Sequence, residues 1–257
     1  MSQTPHDDDQ WCRRYRPAGN PTARLVCLPH AGGSAPFYLP VSAALSPGVD
    51  VVAFQYPGRQ DRRAEAPIDD MSVLADRVHA ILRRQPELPL ILFGHSMGAV
   101  LGFEVTRRLE ADGGSAPVHL FASGRRGPAT YRNETVHLRD DAGIITEVRK
   151  MAGTASSVLG DDEIMRAALP ALRADYKATE TYSCPAETTV NCPITALVGD
   201  NDPKTTVEEA RAWGTHTAGG FDLKVFNGGH FFITDHAAEI IKILDQTLRP
   251  QRIRTTA

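Results

Sequence analysis

Six short runs, each apolar along nearly its whole length, recur from residue 23 onward: ARLVCL (23–28), VDVVAFQ (49–55), LPLILFGH (88–95), VHLFAS (118–123), ITALVG (194–199) and FDLKVF (221–226). A strand with one face in water alternates apolar and polar residues, so runs like these need cover on both faces. Helical patterns between them supply it. Met71, Leu74, Val78, Ile81 and Leu82 share one face after Asp69 and Asp70, whose carboxylates suit a helix N-terminus. A second helix is expected from about Met97 to Leu109. A last one, Asp235 to Leu248, turns Ile240, Ile241 and Leu244 inward. Strand and helix in succession fold as an α/β domain, a mostly parallel central sheet with helices on both faces.

The succession breaks between about Gly127 and Cys184, where only helical patterns appear. Ile144, Ile145, Val148 and Met151 form one stripe. After Asp161 and Asp162, residues Ile164, Met165, Ala168, Leu169, Leu172 and Tyr176 form another, which Pro170 is expected to kink. A helical insertion at the strand ends suits a lid over a ligand site. The expected organisation is therefore a core of residues 23–126 and 187–248, a helical lid at 127–186, a flexible segment at 1–22 and a flexible tail at 249–257.

A net charge of −3 argues against bulk affinity for nucleic acid or an anionic membrane. No run approaches the ~20 apolar residues of a membrane helix, and the first 24 residues carry no secretory pattern. A cytoplasmic location with reduced thiols is expected for Cys12, Cys27, Cys184 and Cys192, which lack paired metal-ligand spacing. Cys27 reads as a small buried hydrophobe; Cys184 and Cys192 could pair, though nothing requires it.

Gly94-His95-Ser96-Met97-Gly98 matches the G-x-S-x-G turn in its required setting, directly after an apolar run and directly before a helical pattern. Such a turn lifts a serine hydroxyl above the sheet at a helix N-terminus, where negative charge is favoured. A serine needs a base, and the base needs an orienting acid. His230, after FDLKVF and two glycines, is the candidate base. His216 precedes that run and His236 falls where a helix starts, so both fit less well. For the acid, spacing alone allows Asp200 or Asp202, both after ITALVG. The oxyanion requires backbone donors. Met97 N–H is one candidate, and Ala31 in Pro29-His30-Ala31-Gly32-Gly33-Ser34 is the other, with Gly32 or Gly33 as alternatives.

Taken together, LPHAGGSAPFY (28–38), FQYPGRQDR (54–62), FGHSMGAVLGFE (93–104), GDNDP (199–203) and GGHFF (228–232) resemble the type II, or external, thioesterases of nonribosomal peptide and polyketide synthesis. The resemblance spans about residues 23 to 248. It implies an α/β-hydrolase fold with a helical lid. The implied activity is hydrolysis of acyl groups from the phosphopantetheine arm of acyl or peptidyl carrier proteins, clearing misprimed or stalled chains. It further implies Ser96 as nucleophile, His230 as base, Asp202 rather than Asp200 as acid, and Ala31 and Met97 as oxyanion donors, with no metal and no cofactor. A monomer is expected.

The competing activities are those of a general carboxylesterase or lipase and of a medium-chain fatty acyl carrier-protein hydrolase. A non-catalytic binding protein on this fold would normally lack part of the triad. Carrier domains are usually acidic, yet residues 125–186 hold nine Lys or Arg against nine Asp or Glu. Arg125, Arg126 and Arg132, or Arg59, Arg62 and Arg63, could form a local basic patch, with solvated surface charges the plainer reading. Docking through Ile144 and Met151 is the alternative.

Overall fold

The computed structural model describes residues 5–113, 116–152 and 162–254. In chain order its main elements begin with α1 (Pro5–Trp11), β1 (Cys12–Arg13), β2 (Arg24–Leu28), α2 (Leu39–Leu45) and β3 (Asp50–Phe54). There follow α3 (Met71–Leu82), β4 (Leu90–His95), α4 (Met97–Ala111), β5 (His119–Ser123), α5 (Asp141–Ala152) and α6 (Asp162–Glu180). The chain continues through β6 (Ile194–Gly199), α7 (Val207–Arg211), β7 (Phe221–Phe226), α8 (Phe232–Asp235) and α9 (Ala237–Arg254). All six apolar runs are strands. They form a seven-stranded sheet of order β1-β3-β2-β4-β5-β6-β7, parallel except for β1. This is the α/β-hydrolase architecture.

Successive residues of a strand point to opposite faces, and the core divides accordingly. Val26, Leu28 and Leu92 pack with the apolar faces of α3 and α4. Leu25, Cys27, Ile91 and Phe93 pack with α2 and α9 on the other side. α3 starts where its aspartates suggest: Asp70 caps it by accepting the Val73 N–H at 2.9 Å. β3 lies on one side of β2 and β4 on the other, while α2 and α4 leave toward opposite faces of the sheet. The loops after β2 and β4 therefore part company and open a crevice at the strand ends, where open α/β sheets bind ligands.

The amino-terminal segment differs from expectation. Within residues 1–22, α1 and β1 are ordered elements, and Cys12 pairs antiparallel with Phe54. Trp11 and Cys12 are buried in the main core, and the Arg62 guanidinium lies 4.5 Å from the Trp11 ring centroid. A lone tryptophan flanked by charge has no periodicity to announce this packing. At the other end α9 continues to Arg254, beyond Leu248.

Between β5 and β6, Ile144 of α5 and Met165, Leu169 and Leu172 of α6 make a small core of their own with Val136. Pro170 lies inside α6 without ending it. Asp161, expected with Asp162 to start this helix, lies outside the described residues. All four cysteines are free thiols, and burial pushes the Cys12 thiol up to about 12. Among the described residues no helix is long and apolar enough to cross a membrane.

Leu244 is fully buried where α9 seats on the sheet. Leu244→Ala is expected to cost about 2–5 kcal/mol, seen as a lower urea midpoint with an unchanged slope.

Candidate active site

Ser96 joins β4 to α4 with φ 55° and ψ −112°, a conformation that costs a non-glycine residue on the order of 1–3 kcal/mol. Its flanking glycines make the turn possible. A Cβ on Gly94 would stand 1.9 Å from the Gly98 carbonyl oxygen, and one on Gly98 would stand 2.0 Å from that of Leu28. The turn is held by the Ser96 N–H, which donates to the Ser123 carbonyl at 2.7 Å, and by the Ala99 N–H, which donates to the Ser96 carbonyl at 3.0 Å. Ser96 is thus half-buried at the head of α4, whose first-turn N–H groups have no partners within the helix.

His230 follows β7 after Gly228, which takes φ 129°. Its Nδ1 lies 2.8 Å from Asp202 Oδ2, and both side chains are buried. A carboxylate oxygen accepts, so this contact suits the tautomer with its proton on Nδ1, pointing at Asp202. The other oxygen, Asp202 Oδ1, accepts the Lys204 N–H at 2.8 Å. Asp200 is used differently. Its Oδ1 accepts the Gly228 N–H at 2.9 Å and the Asn201 side-chain amide at 2.8 Å, tying the two loops together beside the histidine. His216 and His236 bond the carbonyls of Thr188 and Asn227 instead.

The loop after β2 distinguishes its own donors. Gly32 N–H donates to Asp175 Oδ2 at 2.7 Å, and Gly33 N–H donates to the His30 carbonyl at 2.8 Å. Ala31 N–H has no partner among the described residues, and Met97 N–H heads α4. Ala31, Ser96 and His230 border one cavity of about 1210 Å³. Val148 and Met151 of α5 and Met165, Ala168 and Leu172 of α6 line it too.

Two further histidines, without a role in the motif, lie beside the site: His30 borders the cavity and His95 is buried behind it. His95 is buried against the rings of His30, at 5.8 Å between centroids, and His230, at 5.1 Å. Its Nδ1 meets Ser123 Oγ at 2.9 Å. Burial first, then the neighbouring His230 and Arg59, brings the His30 imidazole down to about 3, and burial with the same histidine neighbour holds His95 well below its ordinary value. Both rings are neutral near pH 7 and add no fixed cation beside His230.

Most of these arginines form neither a basic surface patch nor a set of solvated charges. Arg59, Arg62, Arg125 and Arg126 are buried. Arg59 pairs with Asp175, Arg62 with Glu65, Arg126 with Glu134, and the partly exposed Arg132 with Glu209. Burial pushes the Glu134 carboxyl up, but the hydrogen bond and charge of Arg126, with Lys204, outweigh it and bring it down to about 2. Arg63 remains exposed. Ile144 is fully buried and Met151 faces the cavity, so Ile144 offers no docking surface. The Asp175 contact belongs to no sequence motif either. Its one signal is an acidic residue three positions after Leu172, beside the apolar stripe of α6.

A family profile described as the thioesterase domain matches residues 23–248. The chain is 54% identical over 248 residues to a probable cadicidin biosynthesis thioesterase of Streptomyces griseus, covering 96% of this chain and 68% of that protein. It is 45% identical over 237 residues to the thioesterase PikA5 of Streptomyces venezuelae, covering 91% and 84%. Among solved structures, the type II thioesterase BorB from the borrelidin biosynthetic cluster superposes with a TM-score of 0.88 at 50% identity, covering 93% of this chain and 98% of that one.

The buried neutral histidines set an acid limit on stability. Between pH 6.5 and about 3 the unfolded chain binds a proton at His30 that the folded chain refuses. Stability is therefore full above pH 6.5 and falls as pH falls, by up to about 1.4 kcal/mol per pH unit for this group. Urea unfolding at pH 7, 6 and 5 should show stability falling, and His30→Gln should make the fall shallower, with His95 and His119 supplying the remainder.

Proposed function

The chain belongs to the thioesterase family, and on that premise we propose that it hydrolyses acyl groups from the phosphopantetheine arm of carrier domains in a polyketide or nonribosomal peptide synthase, removing aberrant or stalled chains. The observation that carries this reading is the cavity. Ser96, His230 and the Ala31 loop border it together with the apolar residues of α5 and α6, a chamber suited to an acyl chain held beside a nucleophile. The names of the relatives support the synthase setting.

In the proposed mechanism Ser96 Oγ attacks the thioester carbonyl and His230 Nε2 takes its proton. Asp202 keeps the Nδ1 proton in place and stabilises the imidazolium that forms. The carbonyl oxygen becomes an oxyanion between the N–H groups of Ala31 and Met97, at the positive end of α4. Collapse expels the pantetheine sulfur, which takes the proton from His230, and leaves an acyl ester on Ser96. Water, deprotonated by His230, attacks that ester through a second oxyanion. The free acid departs and Ser96 recovers its proton. These steps call on no metal or cofactor; the pantetheine belongs to the substrate. α5 and α6 act as the lid, and their seating excludes bulk water from the acyl-enzyme.

The test is release of short acyl groups from a phosphopantetheinylated carrier protein, followed by intact-mass spectrometry. Loss of the acyl mass with wild type and none with Ser96→Ala is expected. Asp202→Asn should lower kcat on the order of 10³–10⁴-fold, because the imidazole then loses its held tautomer. Ser96-dependent cleavage of simple oxyesters without carrier release would instead identify a general esterase.

A further inference from the structure

One buried carboxylate joins the helical insertion to the loop that carries Ala31. Asp175 of α6 is 1% exposed. Its Oδ2 accepts the Gly32 N–H at 2.7 Å and Arg59 Nη1 at 2.7 Å, and its Oδ1 accepts Arg59 Nη2 at 2.9 Å. Arg59 also reaches back to the loop, donating from Nη1 to the Gly33 carbonyl at 3.2 Å and from Nε to the Pro57 carbonyl at 3.3 Å. One turn earlier on α6, Leu172 seats on Gly32 so closely that a Cβ there would stand 2.4 Å from Leu172 Cδ2. Gly32 has φ +72°, a second reason for glycine.

The Ala31 N–H shares a rigid peptide plane with the His30 carbonyl, and that carbonyl is held by Gly33 N–H. The next peptide plane is held by Gly32 N–H on Asp175. With both planes pinned, the Ala31 N–H has one direction available. An unpaired carboxylate this near a forming oxyanion would oppose it, and the two-point Arg59 contact offsets that charge.

We infer that Asp175, held by Arg59, is a positioning residue that aims the Ala31 N–H at the oxyanion, so that the donor is correctly set only while α6 is seated. The inference rests on the serine-thioesterase reading. A buried ion pair adds little net stability over an apolar replacement, whereas orientation is what a two-point contact supplies.

The test compares wild type, Asp175→Asn, Asp175→Ala and Asp175→Ala/Arg59→Met on a short acyl thioester of N-acetylcysteamine. Two inhibitors accompany it: a trifluoromethyl ketone, which adds Ser96 and presents an oxyanion, and the matching thioether with a methylene in place of the carbonyl. Asp175→Ala should lower kcat on the order of 10–100-fold, less than the 10²–10³ that outright loss of such a donor costs, with KM within about threefold. Trifluoromethyl ketone affinity should fall by a similar factor while the thioether binds as to wild type. Asp175→Asn, which keeps an acceptor for Gly32 N–H and the fold-preserving shape, should lose less. The double variant should be no worse than Asp175→Ala, because the two residues act as one unit. Parallel loss of both inhibitors, or an unchanged kcat in Asp175→Ala and Asp175→Asn, overturns the inference alone. A wild type without Ser96-dependent thioester hydrolysis overturns the serine-thioesterase reading and this inference with it.

Discussion

Three backbones meet with no side chain between them where Gly94 lies against the Gly98 carbonyl and Gly98 lies against that of Leu28. That contact lets β4 turn into α4 over a single residue, and it brings β2 close enough for its following loop to share the same crevice. The strained backbone at Ser96 persists because the sheet and α4 over-determine it through the Ser123 and Ala99 hydrogen bonds. The serine, the head of α4 and the Ala31 loop are consequently set by main-chain packing, which side-chain motion does not perturb.

Around this frame the charges are sorted by burial. His230 faces a carboxylate, while His95, packed against it, and His30, packed against His95, are held neutral by desolvation. One histidine of the three has a carboxylate partner. The same sorting explains the arginines. Each buried guanidinium has a carboxylate within reach, since an unpaired charge inside would cost far more than the pair. Charges that their spacing alone would place on the surface in this way become internal ties, as at Arg59 and Arg126.

α5 and α6 have a small core of their own yet are fastened to the main body at two kinds of contact, apolar at Leu172 and ionic at Asp175. Through these contacts α6 bears directly on the loop after β2.

The fold was legible because six runs apolar on both sides have few alternatives to a covered parallel sheet, and local periodicity carries that information. The serine turn was legible for the same reason: strand, glycine-flanked serine and helix are contiguous. The choice between Asp200 and Asp202 was not settled by spacing, since both lie within two residues on one loop; the contact each makes with the β7 loop separates them. Nor could spacing reveal the packing of Trp11, the neutrality of His30 and His95, or the meeting of Arg59 with Asp175 across 116 residues. The sequence by itself determined the elements, their order and the glycine-flanked serine turn, which depend on neighbours along the chain. Only the tertiary structure decided which charges face one another, because burial and pairing depend on neighbours in space.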